Sequence, residues 1–191
     1  GIALAGTHGK TTTTTLLSTI LAGCGLDPTI VIGGKVDAFG GNAKLGQGDY
    51  VVAEADESDG SFLYLPAVFG AITNIDADHL DHYGDLSKID DAFCAFVARI
   101  PFYGRVYVCG DDAGVRRNLS RFSKPYRTYG LAPENHLQAR ALAETVEGTS
   151  FEVFDLDRGS LGRIRVSSHG AHNIRNALAA VGIALSLGIP F

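Results

Sequence analysis

Short apolar runs alternate with helical stretches along the first two thirds of the chain. Apolar and β-branched runs bounded by Gly, Asp or Asn predict buried strands at residues 2–5, 29–32, 50–53, 67–73 and 105–109. Residues 11–22 predict a helix that ends at glycine, and residues 90–98 a second one, with Ser87 and Asp90 spaced as a capping box. This order is typical of an α/β fold, with a mostly parallel sheet flanked by helices.

The last third of the chain has a different pattern. Residues 136–145, 150–154 and 162–167 alternate polar and apolar side chains and are separated by turn signals, which predicts a small antiparallel β region appended to the main sheet. Residues 171–187 predict a final helix. The glycine-rich segment 33–48 lacks periodicity and predicts a loop.

Composition limits the classes of partner. The chain has 191 residues and a net charge of −5, and its basic residues are scattered, so we expect neither a nucleic-acid nor a membrane partner. Cys24, Cys94 and Cys109 are widely spaced, which favours buried thiols in a reducing, cytoplasmic compartment. The absence of methionine, together with a first strand at residue 2, leads us to expect one domain excised from a longer protein.

The segment from Gly6 to Thr12 carries the strongest chemical signal. It follows a predicted strand and opens a helix, so its backbone N–H groups and the helix dipole would face an anion. Lys10 suits the β- and γ-phosphates of a nucleotide, and the hydroxyl of Thr11 suits Mg²⁺. The longer P-loop pattern requires glycine at position 4, where this chain has Leu4, so the match is to a shorter GxxGKT variant.

Two further polar segments follow predicted strands. Glu54, Asp56, Glu57 and Asp59 would repel one another unless a cation lies nearby, which favours a Mg²⁺ site over an acidic surface turn. The sequence does not decide which of these acids binds the metal. Residues 73–82 have the sequence TNIDADHLDH. Their acids and imidazoles suit metal binding or acid–base chemistry. A zinc site and a simple turn are the alternatives.

A fourth segment opens the final helix. Asn173 and Asn176 are three residues apart and therefore share a helix face. An Asn amide can pair with the edge of adenine, because it donates and accepts at the same time. The alternative is that these residues cap the helix.

In this order, the segments GTHGKTTT, EADESD, NIDADHLD and HNIRNALAA resemble the central ATP-binding domain of the Mur ligases of peptidoglycan synthesis. The resemblance covers essentially the whole chain and implies a P-loop NTPase-like fold. EADESD and NIDADHLD are most similar to the members that join L-alanine to UDP-N-acetylmuramate. For such members the resemblance implies that ATP phosphorylates the muramoyl carboxylate, that the amino group of L-alanine attacks the acyl phosphate, and that ADP and phosphate leave.

The resemblance also implies roles for single residues. The phosphates of ATP would lie against Gly6, Thr7, His8, Gly9, Lys10, Thr11 and Thr12. Lys10 would stabilise charge on the transferring phosphoryl group as a catalytic residue. Thr11 and Glu54 would hold one Mg²⁺, and His79 would help to hold a second, also as part of the catalytic group.

At the final helix, Asn173 and Asn176 would contact adenine, with His172 nearby. Some family members have a carbamylated lysine about fifteen residues after the motif histidine, but residues 92–95 here are Ala-Phe-Cys-Ala, so we predict no such group. Because family members have additional N- and C-terminal domains, we expect this piece alone to ligate nothing. Three other functions remain as alternatives to this ligase: a ligase that adds an intact tripeptide to the same UDP-sugar, a small P-loop kinase, and a non-catalytic nucleotide-binding module.

Overall fold

The computed structural model describes residues 1–36, 41–58, 60–77 and 83–191. The strands are β1 (Ile2–Ala5), β2 (Thr29–Val36), β3 (Gly41–Lys44), β4 (Val51–Ala55), β5 (Phe69–Ile72), β6 (Arg105–Cys109), β7 (Tyr126–Gly130), β8 (Leu137–Thr145), β9 (Gly148–Asp155) and β10 (Gly159–Val166). The α-helices in the described ranges are α1 (Lys10–Gly23), α2 (Leu86–Arg99), α3 (Ala113–Asn118) and α4 (Ala171–Ser186).

The strands form one sheet in the order β10-β9-β8-β7-β6-β5-β1-β4-β2-β3. The seven strands from β8 to β2 in this order pair in parallel, whereas β3 at one edge and β9 and β10 at the other pair antiparallel. The predicted mostly parallel sheet with an appended antiparallel region is therefore confirmed.

Side chains alternate between two cores, one on each face of the sheet. In β1, Ile2 and Leu4 face a core shared with α1 and α4, whereas Ala3 and Ala5 face a core shared with α2 and α3. This period of two is the reason that β1 is apolar at every position, since both of its faces are covered. β1 is thus a buried interior strand of the sheet, and the loop that follows it starts from a fixed position.

Two local predictions are wrong. Segment 33–48 is not one loop, because β2 continues to Val36 and pairs antiparallel with β3, with Val36 opposite Gly41. Helix α2 is capped by Asp85, whose side chain accepts from the backbone N–H of Lys88, and not by the predicted box at Ser87. Asp85 and Ser87 are both residue types that commonly cap a helix. The helix begins directly after Asp85, whose backbone is extended, so Asp85 is the cap.

The cysteines are only partly as expected. They are free thiols, but Cys24 is exposed and Cys94 is half-buried, and only Cys109 is fully buried.

In the part of the chain that the structure describes, no helix is long and apolar enough to cross a membrane.

A buried carboxylate joins α2 to α3. Asp90 accepts two hydrogen bonds from the guanidinium of Arg117, both 2.8 Å long, and one of 2.8 Å from the side-chain amide of Asn118. Burial raises the pKa of Asp90, but these hydrogen bonds outweigh it and hold the pKa below its ordinary value of 3.8. Since Asn118 is fully buried and Asp90 almost so, this group fixes how the two helices pack.

We predict that Asp90→Ala lowers the free energy of unfolding at neutral pH by about 2 to 3 kcal/mol, because it removes the acceptor of the buried Asn118 amide and of the partly exposed Arg117 guanidinium. Since the folded-state pKa is depressed, this stabilisation is complete above the ordinary value and is lost as pH falls through the folded value. Urea unfolding at pH 7 and at about pH 3 measures it, and the difference between wild type and variant should shrink in acid.

Asp91→Ala is the matched control, because the ion pair of Asp91 with Arg121 is exposed on both sides. We expect no resolvable change in its urea midpoint. A constant wild-type-to-Asp90→Ala difference at both pH values would contradict the prediction.

Candidate nucleotide-binding site

The phosphate loop, residues 6–12, leaves the carboxyl end of β1 and enters α1. Gly6 and Gly9 have positive φ angles of 134° and 84°. A Cβ atom on Gly6 would lie 2.0 Å from the hydroxyl oxygen of Thr73, so both conformation and space require glycine. The turn directs the unpaired N–H groups of the first turn of α1 towards the carboxyl edge of the sheet, where an anion can bind them.

The segment after β5 holds this loop in place. The hydroxyl of Thr73 donates to the backbone oxygen of His8 over 2.6 Å. The side chain of Asn74 accepts from the His8 N–H and donates to the His8 carbonyl, with both bonds 2.8 Å long. The Thr7 hydroxyl accepts from the N–H of Asp76 over 3.0 Å. Sequence reasoning missed Thr73 and Asn74 as loop-holding residues, and their place at the carboxyl end of a predicted strand was the available signal.

Lys10 lies in a closely packed acidic setting. Its side chain is 11% exposed, and its Nζ is 2.6 Å from Oε2 of Glu57 and 3.7 Å from Oδ1 of Asp56. Glu57 is itself buried. The ammonium is thus held beside the start of α1 and is paired with carboxylates that offset its charge.

Glu54 is the acid that the structure brings to Thr11. The Thr11 hydroxyl donates to Oε2 of Glu54 over 2.9 Å, and the backbone N–H of Gly33 donates to the same oxygen over 3.1 Å. The choice among the four acids, which the sequence left open, therefore favours Glu54 next to Thr11. Asp59 lies outside the described residues.

The donor set at Thr11 and Glu54 fits Mg²⁺. Among the described residues there is no group of three or more His, Cys, Asp or Glu side chains that could hold a metal. Mg²⁺ does not require one, because it prefers oxygen and is commonly held by one or two protein oxygens together with substrate phosphates and water. A hydroxyl and a carboxylate beside a helix N-terminus match that requirement.

A cleft of about 270 Å³ opens beside the loop, between the carboxyl edge of the sheet and the start of α4. Its lining includes His8, Asn74, Asp112, His172, Arg175 and Asn176. Buried Cys109 also reaches the cleft, and burial raises the pKa of its thiol to about 11. Cys109 is therefore a protonated, unreactive thiol at neutral pH.

The two asparagines of α4 occupy different surroundings. Asn176 is buried, and a Cβ on Gly9 would lie 2.7 Å from its side-chain oxygen, so it packs directly on the phosphate loop. Asn173 donates its side-chain N–H to the carbonyl of His169 over 2.8 Å and is not among the residues that line the cleft. The structure thus brings Asn176 and His172 to the cleft, and ties Asn173 to the turn before α4.

The remaining site predictions have different outcomes. Thr12 lies in the first turn of α1 with an exposed side chain. His79 falls in segment 78–82, outside the described residues, so its metal-binding and catalytic roles stay predictions.

The sequence of this chain is similar to those of known proteins. The family model "Mur ligase middle domain" matches residues 4–184. A UDP-N-acetylmuramate–L-alanine ligase of Solidesulfovibrio magneticus is 53% identical over 190 residues, which is 100% of this chain and 41% of that protein. The ligase of the same name from Desulfotalea psychrophila is 52% identical over 191 residues, with the same coverage. The chain thus spans about two fifths of the length of these curated relatives.

Solved structures show the same likeness. The UDP-N-acetylmuramate:L-alanyl-γ-D-glutamyl-meso-diaminopimelate ligase of Neisseria meningitidis superposes with a TM-score of 0.85 at 29% identity, covering 99% of this chain and 62% of that one. The UDP-N-acetylmuramate–alanine ligase of Thermotoga maritima gives a TM-score of 0.82 at 28% identity, covering 97% and 41%. Since the family model spans nearly the whole chain and these folds agree with it, the chain belongs to the Mur ligase family, as a middle domain.

Proposed function

We propose that this chain is the ATP-binding domain of an ATP-dependent ligase that joins L-alanine to UDP-N-acetylmuramate in the cytoplasm. The observation that carries the proposal is the contact of Thr11 with Glu54, directly beside Lys10 at the start of α1. A hydroxyl, a carboxylate and an ammonium at one helix N-terminus are the groups that phosphoryl transfer from a nucleotide requires. The curated relatives with this ligase name, which are 50% to 53% identical over the chain, support the choice of substrates.

In the proposed function, the phosphate loop binds and orients the phosphates. Its N–H groups are fixed before ATP arrives, because Thr73 and Asn74 already hold the His8 backbone. Lys10 then stabilises the negative charge of the transferring γ-phosphoryl group. Asn176 limits the space beside Gly9 and faces the cleft where the nucleoside would lie.

Thr11 and Glu54 would hold Mg²⁺, which when bound neutralises phosphate charge during transfer. The Gly33 N–H fixes the Glu54 carboxylate and so orients the oxygen that would meet the metal. His79 is proposed to assist a second metal ion.

The proposed ligation consists of two successive displacement steps. The γ-phosphoryl group of ATP moves to the muramoyl carboxylate, and ADP leaves. The amino group of L-alanine then attacks the acyl carbon, the carbon–oxygen bond to phosphate breaks, and phosphate and a proton are released. We propose that UDP-N-acetylmuramate and L-alanine bind mainly through flanking domains, so that the 191-residue chain alone binds ATP but does not ligate.

Thr11→Val should weaken binding of ATP in the presence of Mg²⁺ by about tenfold, because it removes the proposed metal-binding hydroxyl. Thr11→Ser retains the hydroxyl and should bind as wild type. Isothermal titration calorimetry with Mg²⁺ and with EDTA measures both variants. Equal loss in Mg²⁺ and in EDTA would mean that Thr11 does not act through a metal.

Asn176→Ala should reduce ATP affinity by about tenfold, whereas Asn173→Ala should have a smaller effect. The reason is that Asn176 lines the cleft and packs on Gly9, while the side-chain amide of Asn173 already binds His169. The same titration measures both, with circular dichroism to check folding. A larger loss for Asn173→Ala would contradict this placement of the nucleoside.

The ligase activity can be tested by grafting. Residues 1–191 would replace the matching domain of the Solidesulfovibrio magneticus relative, whose own sequence is 53% identical over this span. We expect ADP release that requires both UDP-N-acetylmuramate and L-alanine, and its loss with Lys10→Ala. A folded, ATP-binding graft that releases ADP without L-alanine would overturn the ligase proposal in favour of a kinase.

A further inference from the structure

A second cavity, of about 320 Å³, opens at the edge of the sheet opposite the phosphate loop. Phe69 and Arg105, which line it, are the first residues of β5 and β6, whereas the phosphate loop follows the last residue of β1. Ser186, also in the lining, lies ten residues after Asn176 on α4, which corresponds to about 15 Å along the helix axis. The cavity is therefore separate from the nucleotide cleft.

The charge of this cavity is opposite to that of the whole chain. Arg105, Arg127 and Arg158 line it together with a single carboxylate, that of Asp155, although the chain carries a net charge of −5. A concave surface focuses the field of such charges and raises the local concentration of anions.

The three guanidinium groups differ in the ion pairs that they form. Arg127 pairs with buried Asp155 at 3.1 Å and with Asp157 at 2.7 Å, so it belongs to the wall of the cavity. Over the described ranges, Arg105 and Arg158 form no ion pair or side-chain hydrogen bond. Both are exposed and directed to the same cavity, so two guanidinium groups are available for an anion.

Aromatic rings supply the other part of the lining. Tyr107 is buried at the back, where its hydroxyl lies 3.0 Å from the Ser186 hydroxyl. Tyr103 is 67% exposed at the cavity, with its ring packed edge to face against that of Phe102. An exposed ring held beside arginines is suited to stack on a planar group, and the cavity volume lies in the range of small-molecule sites.

The geometry points to a second binding site for a small phosphomonoester that carries a planar ring. Arg105 and Arg158 bind the phosphate through charge-assisted hydrogen bonds, for which guanidinium groups are particularly well shaped. Tyr103 covers the ring, and the Arg127–Asp155 pair keeps the wall rigid. None of the residues to which the proposed function gives a role lines this cavity, so a ligand here would bind in addition to ATP.

Phenyl phosphate is a suitable probe, since it has both chemical parts and little else. We expect its titration, followed by backbone-amide NMR shifts, to perturb residues 105–107 and Ser186 and to leave Gly6 and Gly9 unchanged. Arg105→Gln combined with Arg158→Gln should weaken binding about tenfold or more. Arg163→Gln with Arg165→Gln removes the same charge from β10, outside the cavity, and should bind as wild type.

Tyr103→Ala separates the two parts of the site. It should weaken binding of phenyl phosphate and leave the weaker binding of inorganic phosphate unchanged, a split that misfolding would not produce. Shifts centred on the phosphate loop, equal affinity for phenol, or unchanged binding by the Arg105→Gln and Arg158→Gln chain would each overturn the proposal.

Discussion

The nucleotide site depends on the hydrogen bonds that fix the backbone of His8. Thr73 and Asn74 bind its carbonyl oxygen, and Asn74 also accepts from its N–H, so one residue of the loop is held at both of its polar backbone groups. Because Gly6 and Gly9 have no side chain to restrict them, the loop without these contacts would have many conformations of similar energy. The contacts select the one in which the first turn of α1 can receive phosphate.

The register of the central strands explains why distant motifs meet. Ala5, the last residue of β1, lies beside Ala55 of β4 and Ile72 of β5. The carboxyl ends of the three strands therefore lie at the same edge. They bring together the phosphate loop, the acids from Glu54 to Glu57, and the segment of Thr73 and Asn74. Parallel pairing places the carboxyl ends of neighbouring strands together. The order of the strands in the sheet is therefore enough to bring these three sequence motifs to one site.

Most of the sheet and the local parts of the site were predictable from sequence. Strands β1 and β6 were predicted with their observed bounds, since runs buried on both faces have a strong signal. The extension of β2 beyond residue 32 and its pairing with β3 were missed, because this glycine-rich stretch has no alternation and owes its pairing to the edge of the sheet. The pairing of Thr11 with Glu54 was implied only by the family resemblance, since the residues alone left four acids open. The contacts of Lys10 with Glu57 and of Asn176 with Gly9 depend on packing that spacing does not encode.

Charge balance links these contacts to chemistry. Glu54, Asp56 and Glu57 bring three carboxylates to the end of β4, and Lys10 offsets one of those charges through Glu57. Asp56 is half exposed and is screened by water. Among the described residues, the hydrogen-bond donors to Glu54 are the Thr11 hydroxyl and the Gly33 N–H, which are neutral. The carboxylate with neutral partners is thus the one beside the phosphate loop. A divalent cation together with phosphate oxygens would balance it, whereas phosphate alone would add negative charge to an already acidic edge.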